Sequence, residues 1–399
     1  MKWTSRGITA PLGFVANGLT CGIKRSKKKD LTLVVSQAPC ISAGVFTTNK
    51  VQASCVIINK KRLAKGKAQA IIANSGNANC LTGKRGFVDS LTMTARTAKL
   101  LRVSASHVCV ASTGVIGRAL PIKKITAALP ELVEGLSKKG GRSAAQGIMT
   151  TDHVPKEAAL EVGISGRRVR IGAIAKGGGM IHPNMATMLC FVATDAKVQK
   201  SALQSALSAA VSKTFNMITV DGDMSTNDMV MVLANGLADN KPIVQNSREY
   251  KVFAEALESL FLKLAKMMIL DAEGATKSVE IVVKNAASAI DARTVARSIA
   301  SSNLVKCALF GGDPNWGRIA AAAGYSGAKV DQWKMKVYLG KILVLKAGGA
   351  VLGTRKGGNP FAQKEIVVTV DLGLGKHGAT AYTCDLSTDY VVFNSAYHT

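Results

Sequence analysis

Short apolar runs, most of them closed by Gly, Asn or Ser, dominate the first third of the chain. LTLVVS at 31–36, AGVFT at 43–47, SCVIIN at 54–59 and QAIIAN at 69–74 are rich in Val, Ile and Phe, which predicts strands. The period then lengthens. A helix is expected over 87–101 (FVDSLTMTARTAKLL) and another over 121–136, while the Lys- and Gly-rich stretch 137–147 reads as an exposed connection. Residues 171–194 give a β-run (IGAIA), a glycine-rich segment (KGGGMIHPNMA) and a second β-run (TMLCFVAT). Two amphipathic helices follow, one over 199–214 with Leu203, Leu207 and Val211 on one face, the other over 251–269 with Leu257, Leu260, Phe261 and Leu264. Strands near 279–284, 334–345 and 366–371 and a helix near 289–301 complete the pattern, which contains no internal repeat. Mixed strands and helices at this spacing predict a layered α/β architecture in which antiparallel pairing is prominent.

Composition narrows the class. Apolar residues fill 47% of the 399 positions, enough for one large core or two moderate ones and too many for a disordered chain. Mean hydropathy is +0.18, yet no segment reaches the roughly 18 uninterrupted apolar residues a spanning helix needs. The opening MKWTSRGITAPLGFVANG lacks an apolar core followed by a small-residue cleavage site, so no secretory signal is expected and the protein reads as soluble and cytoplasmic. Eight scattered cysteines without a CxxC pair suit reduced, buried thiols better than a disulfide framework or a zinc site, and five dispersed histidines add no metal motif.

Charge is the odd quantity. The net +27 comes from short clusters: RSKKK at 25–29, KKRLAKGK at 60–67, SKKGGR at 137–142 and GRRVR at 166–170. Such a field attracts nucleic acid or steers small anions. The clusters are interleaved with Gly and Ser and lack a pattern of stacking aromatics, so a lysine-rich surface is the plainer reading. No nucleic-acid or membrane partner is expected.

Four polar, glycine-containing clusters are candidates for chemistry: NSGNAN (74–79), STGVIG (112–117), KGGGMIHPNMAT (176–187) and VDGDMSTND (220–228). Any one of them alone reads as a turn between strands. None has the GxGxxG spacing of a dinucleotide site, and KGGG lacks the full P-loop pattern. Together with GVFTTNKVQA, NSGNANCLTG, MTTDHVPK, DAEGATK, GGDPNWGRI and the terminal NSAYHT, they run in order from residue 44 to residue 399. In that combination the chain closely resembles the ornithine acetyltransferase (glutamate N-acetyltransferase) family, and the resemblance covers most of its length.

The resemblance implies a layered α/β sandwich of the N-terminal-nucleophile-like type, with mixed, largely antiparallel sheets flanked by helices. It implies self-cleavage between Ala186 and Thr187 within PNMATML, giving an α chain (1–186) and a β chain (187–399) that assemble as a heterotetramer. The residue type fits this chemistry. A threonine hydroxyl attacks the preceding carbonyl, water opens the resulting ester, and the new α-amine, with an ordinary pKa of about 8, serves as base for its own hydroxyl. Taken alone, Thr187 is an ordinary β-strand threonine; its context singles it out as the nucleophile. By resemblance Thr113 and Gly114 supply an oxyanion hole, a hydroxyl and a backbone N–H aimed at the developing charge. The family's substrate contacts carry over to Thr150, Lys176, Thr187, Glu273, Asn394 and Thr399. A lysine suits an α-carboxylate and a glutamate an amino group, so Lys176 and Glu273 together suit the two ends of an amino acid.

The implied activity is transfer of an acetyl group from N-acetylornithine to glutamate in arginine biosynthesis, with no metal or nucleotide cofactor; some members also accept acetyl-CoA. Met224 stands where relatives often carry a small polar residue, and the basic Arg118 follows STGVIG. Two rivals make different predictions. An aminopeptidase with the same kind of nucleophile would release N-terminal residues from peptides. A basic nucleic-acid-binding protein would show salt-sensitive binding to nucleic acid and would leave PNMATML and DAEGATK unexplained.

Overall fold

The computed structural model describes residues 1–182, 188–351 and 359–396. In chain order its elements begin with β1 (Lys2–Thr4), β2 (Phe14–Leu19), β3 (Leu31–Phe46), α1 (Ser54–Ala64), β4 (Lys67–Asn77), α2 (Gly83–Leu101), β5 (Val108–Val115), α3 (Ile122–Glu134) and α4 (Gly141–Ile148). They continue with β6 (Lys156–Ile164), β7 (Arg167–Lys176), β8 (Leu189–Thr194), α5 (Lys200–Lys213), β9 (Ile218–Thr219), β10 (Met229–Ala234), α6 (Arg248–Leu270), β11 (Ser278–Ala286), α7 (Ala289–Ser301), α8 (Asn303–Gly311) and α9 (Trp316–Gly324). The last are β12 (Lys336–Leu339), β13 (Ile342–Lys346), β14 (Gly349–Ala350), β15 (Glu365–Asp371), β16 (His377–Cys384) and α10 (Thr388–Ala396).

Among the described residues these strands form two mixed sheets. The larger runs β1-β6-β7-β8-β10-β3-β4-β5, with β2 also paired to β3; the smaller runs β14-β13-β12-β15-β11-β16-β9. Most pairs are antiparallel; β8 with β10, β4 with β5, β11 with β15 and β9 with β16 are parallel. The central strands β8 and β10 are buried at every position because both faces of the larger sheet are covered. Leu189, Phe191 and Ala193 of β8 and Met229, Met231 and Leu233 of β10 face the core shared with α1 to α4. The intervening Cys190, Val192, Val230 and Val232 face the core shared with α5 and α6. Helix α6 also touches β16, so it spaces the two sheets, while α7, α8 and α9 cover the smaller one. The fold is therefore the layered, largely antiparallel sandwich with flanking helices that the sequence led us to expect.

Three local expectations need correction. SCVIIN at 54–59 is the start of helix α1, not a strand. Its buried positions, Cys55, Val56, Ile58, Asn59 and Leu63, have helical spacing once the run is followed past Asn59. The stretch 137–147 is not simply an exposed connection, because it contains most of α4, whose Ala144, Ala145 and Ile148 are fully buried. Its glycines bring it close to the sheet: a Cβ on Gly140 would collide with the Ala16 carbonyl, and one on Gly147 would lie 2.8 Å from the Leu31 oxygen. The run 334–345 is a hairpin of β12 and β13. In addition, 31–36 and 43–46 are joined in the single long strand β3, whose first part pairs with β2 and whose last part pairs with β10.

The segment carrying the expected cleavage point connects β7 to β8, which are antiparallel neighbours, with Lys176 opposite Leu189. Strands from both sides of that point therefore alternate within one sheet. Phe261 of α6 is fully buried with its ring 5.0 Å from that of Phe215. Phe261→Ala should cost about 3–5 kcal/mol in denaturant unfolding, as core Phe-to-Ala truncations do; a change under about 1 kcal/mol would show that this layer collapses around the gap.

Candidate active site

The C-terminal end of β5, the loop after α4, the end of β7 and helix α10 converge on one cavity of about 270 Å³. Thr113, Gly114, Thr150, Thr151, Lys176, Gly179, Asp221, Asn227, Glu273, Tyr390 and Asn394 are among its lining residues.

Its electrostatic anchor is Asp152, which is buried together with two lysines. Lys156 Nζ donates to Asp152 Oδ1 at 2.7 Å and to Asp271 Oδ2 at 2.5 Å, and Lys176 Nζ lies 4.0 Å from Asp152 Oδ2. The backbone N–H groups of Gly177 and Thr150 donate to the same carboxylate at 2.8 and 3.0 Å. Burial by itself would raise the Asp152 pKa, but Lys176 and Lys156 outweigh it and hold the carboxyl well below the usual carboxylate range. Lys176 is lowered from the ordinary lysine value, chiefly by burial, with Asp152 and Glu273 opposing the shift.

Thr113 and Gly114 lie where parallel strands β4 and β5 end, with Gly76 opposite Gly114. Gly114 has φ +127°, and a Cβ there would lie 2.6 Å from Asn77 N, so the two backbones meet only because the residue is glycine. Asparagines lock this corner. Asn227 Nδ2 donates to Ala78 O at 2.7 Å and Ser112 O at 2.8 Å, and Asn74 Nδ2 donates to Asn77 O at 2.8 Å.

On the opposite wall, Glu273 Oε2 accepts from Asn394 Nδ2 at 3.1 Å, and the Glu273 N–H donates to Gly178 O at 2.9 Å. A Cβ on Gly179 would collide with the Glu273 carboxylate, which gives the last glycine of KGGG a steric purpose. Asp221 accepts from the N–H groups of Met180 at 2.5 Å and Ile181 at 2.9 Å and from the Tyr390 hydroxyl at 3.1 Å. Burial raises the Asp221 carboxyl despite these donors. Asp228, at the foot of β10, accepts the Met188 N–H on Oδ1 at 3.0 Å, and its Oδ2 is buried without a hydrogen-bond partner among the described residues; burial pushes its carboxyl well up.

Of the residues nominated from sequence, Thr113, Gly114, Thr150, Lys176, Glu273 and Asn394 all line this cavity. Ala186, Thr187 and Thr399 lie outside the described residues. The sequence model of the ArgJ family matches residues 15–399 of this chain. The chain belongs to the ArgJ family. The arginine biosynthesis bifunctional protein ArgJ of Symbiobacterium thermophilum is 49% identical over 402 aligned positions, covering 100% of each chain. Its counterpart from Caldanaerobacter subterraneus subsp. tengcongensis is 47% identical over 397 positions, covering 98% of each. A solved structure of the Bacillus halodurans protein is 42% identical with a TM-score of 0.49, the match covering 52% of this chain and 98% of that one.

Sequence reasoning had not singled out Asp152, Lys156, Asp271, Asn227 or Tyr390 in this ArgJ-family chain. Asp152 sits inside MTTDHVPK and Asn227 inside VDGDMSTND, so the motifs contained them, but nothing in the spacing shows that Lys156 meets Asp271 from a helix end far along the chain. All eight cysteines are free, and six are buried; burial raises Cys55 and Cys109 to about 12.

The lowered Asp152 carboxyl has a pH signature. A depressed carboxylate stabilises the fold above its unfolded pKa of about 3.9, and that stability is lost as pH falls toward the folded value. Asp152→Asn should therefore cost about 3 kcal/mol near pH 7, because it removes the counter-charge that the two buried lysines share. The gap between parent and variant should narrow below about pH 4, read from denaturant midpoints. An equal gap at both pH values would remove the carboxylate charge as its cause.

Proposed function

We propose that this chain is an acyltransferase of arginine biosynthesis that moves the acetyl group of N-acetylornithine to glutamate through an acetyl-Thr187 intermediate. The observation that carries the reading is the cavity, where Thr113, Gly114, Thr150, Lys176, Glu273 and Asn394, drawn from separate stretches of sequence, meet at one place. Membership of the ArgJ family supplies the pathway, since its relatives carry the name of arginine biosynthesis bifunctional proteins.

Thr187 becomes available as a nucleophile when the chain cuts itself after Ala186. Its hydroxyl oxygen then attacks the acetyl carbonyl of N-acetylornithine, and its own α-amine takes the proton. The Thr113 hydroxyl and Gly114 N–H stabilise the tetrahedral oxyanion. The C–N bond breaks, ornithine leaves with the proton, and the glutamate amine takes the acetyl group in a second attack of the same kind. Lys176 receives the substrate α-carboxylate and Glu273 an amino group, with Thr150, Asn394 and Thr399 completing the contacts. No metal or nucleotide cofactor takes part in this reaction, and acetyl-CoA enters as an alternative acetyl donor for glutamate, consistent with the bifunctional name of the relatives. After cleavage the two pieces stay interlocked through the larger sheet, where β7 pairs with β8, and assemble as a heterotetramer in the cytoplasm.

Intact mass under denaturing conditions should show two chains, 1–186 and 187–399, that co-elute as one species under native conditions. Thr187→Ala should yield an uncut chain without acetyl transfer; normal transfer by that variant would overturn the mechanism. Thr113→Ala should lower kcat about a hundredfold if its hydroxyl stabilises the oxyanion, and an unchanged kcat would take it out of that role.

A further inference from the structure

Three of the four basic clusters in the sequence have local explanations or lie away from the cavity. In 137–142, Arg142 pairs with Glu157 at 3.7 Å. In 166–170, Arg167 faces Asp239 at 3.6 Å, and Arg168 and Arg170 face Glu161 at 3.8 and 3.9 Å. The 60–67 cluster lies at the far end of β5, where Arg62 bonds the Val108 carbonyl, about 20 Å of strand away from Gly114.

The 25–29 cluster differs. Its loop is fixed in place, because buried Asp30 accepts the N–H groups of Cys21 at 2.7 Å, Ile23 at 2.7 Å and Lys24 at 3.0 Å. Lys24 Nζ donates to Lys29 O and Met149 O, each at 2.7 Å, which ties the loop to the residue preceding Thr150. Ile23 and Lys24 lie against Gly76, the backbone partner of Gly114. Burial lowers Lys24 to about 8, with Lys176 among the charges that oppose its protonation, so this loop and the cavity share one electrostatic environment. The segment after the cavity residue Ile116 joins the same corner: Asn77 Nδ2 donates to Arg118 O at 3.2 Å, and Lys124 Nζ donates to Gly22 O at 2.9 Å. Arg25, Lys27, Lys28, Arg118 and Lys123 are exposed there, and none has an ion-pair partner among the described residues. The first turn of α3, which carries Lys123 and Lys124, contains no acid.

Like charges gathered on a rigid rim without counter-ions favour binding of a polyanion. We infer that Arg25, Lys27, Lys28, Arg118 and Lys123 form a phosphate-binding rim on the reactive cavity, which holds the phosphorylated nucleotide end of an acyl thioester while its acyl end enters the cavity. This rests on the acyl transfer proposed above and specifies where the second acetyl donor, acetyl-CoA, is held. In that half-reaction the acyl carbon exchanges its bond to sulfur for one to the nucleophile's oxygen, and the thiol leaves with the proton. N-acetylornithine has no phosphate, so its transfer does not use the rim. Five exposed cations without an aromatic among them fit phosphate better than stacked bases.

The test uses the full-length purified chain with Lys27→Glu/Lys28→Glu and Arg118→Glu variants, assaying transfer to glutamate from acetyl-CoA and from N-acetylornithine. We expect the KM for acetyl-CoA to rise about tenfold, as loss of two or three partly exposed charge contacts implies. The kcat with acetyl-CoA and both constants with N-acetylornithine should stay within about twofold, because the substitutions act on phosphate contacts alone. Adenosine 3′,5′-bisphosphate should compete with acetyl-CoA in the parent and lose potency in the variants. An unchanged KM for acetyl-CoA, equal losses with both donors, or absence of acetyl-CoA turnover in a parent that uses N-acetylornithine would each overturn the rim. So would loss of duplex DNA binding in the variants with acetyl-CoA kinetics unmoved, which would make the patch a nucleic-acid surface. Absence of transfer from N-acetylornithine in the parent would bring down the proposed function itself.

Discussion

A single buried carboxylate organises the cavity. Asp152 is removed from solvent between Lys156 and Lys176, and it also accepts the backbone N–H groups of Thr150 and Gly177. Isolated in an apolar interior, any of these charges would be too costly to keep. Together they fix the loop after α4, the end of β7 and, through Asp271, the end of α6. The cavity's own lysine depends on that arrangement. Lys176 is directed into the cavity with a charge that burial disfavours, and the nearby acids partly restore it.

The second constraint is steric. Two backbones meet at Gly76 and Gly114, and a carboxylate occupies the space beside Gly179. At each place a side chain would displace something the cavity needs. Asn74 and Asn227 spend their amide groups on main-chain carbonyls, so NSGNAN works largely as a frame for the strand end that carries Thr113 and Gly114. The cavity is accordingly a place where rigid strand ends meet, with side chains from both walls directed into it.

The interleaving of the larger sheet has a consequence for a chain that is proposed to cut itself. β8 and β10, which follow the proposed break, are flanked by β7 and β3, which precede it. Their side chains fill the cores on both faces of the sheet, so cleavage leaves the hydrophobic contacts in place. A broken peptide bond there changes chemistry at one residue without requiring a new fold.

Much of this was legible in the residues themselves. The helical spacing of Leu257, Leu260, Phe261 and Leu264 and the Val- and Ile-rich strand runs fix element types locally, because period and composition are properties of short windows. The ordered motifs nominated six residues that share the cavity. Other features were decided only by distant partners. SCVIIN becomes a helix because its buried face continues to Leu63, and α4 is buried through glycines that look like linker composition. Lys156 finds Asp271 across more than a hundred residues, and Lys124 of α3 reaches the Gly22 carbonyl in the loop that leads into RSKKK. No window of sequence contains such meetings. The sequence by itself determined the pieces and the family; the tertiary structure decided which charges are neutralised and which are left facing outward, because that depends on packing between elements far apart along the chain.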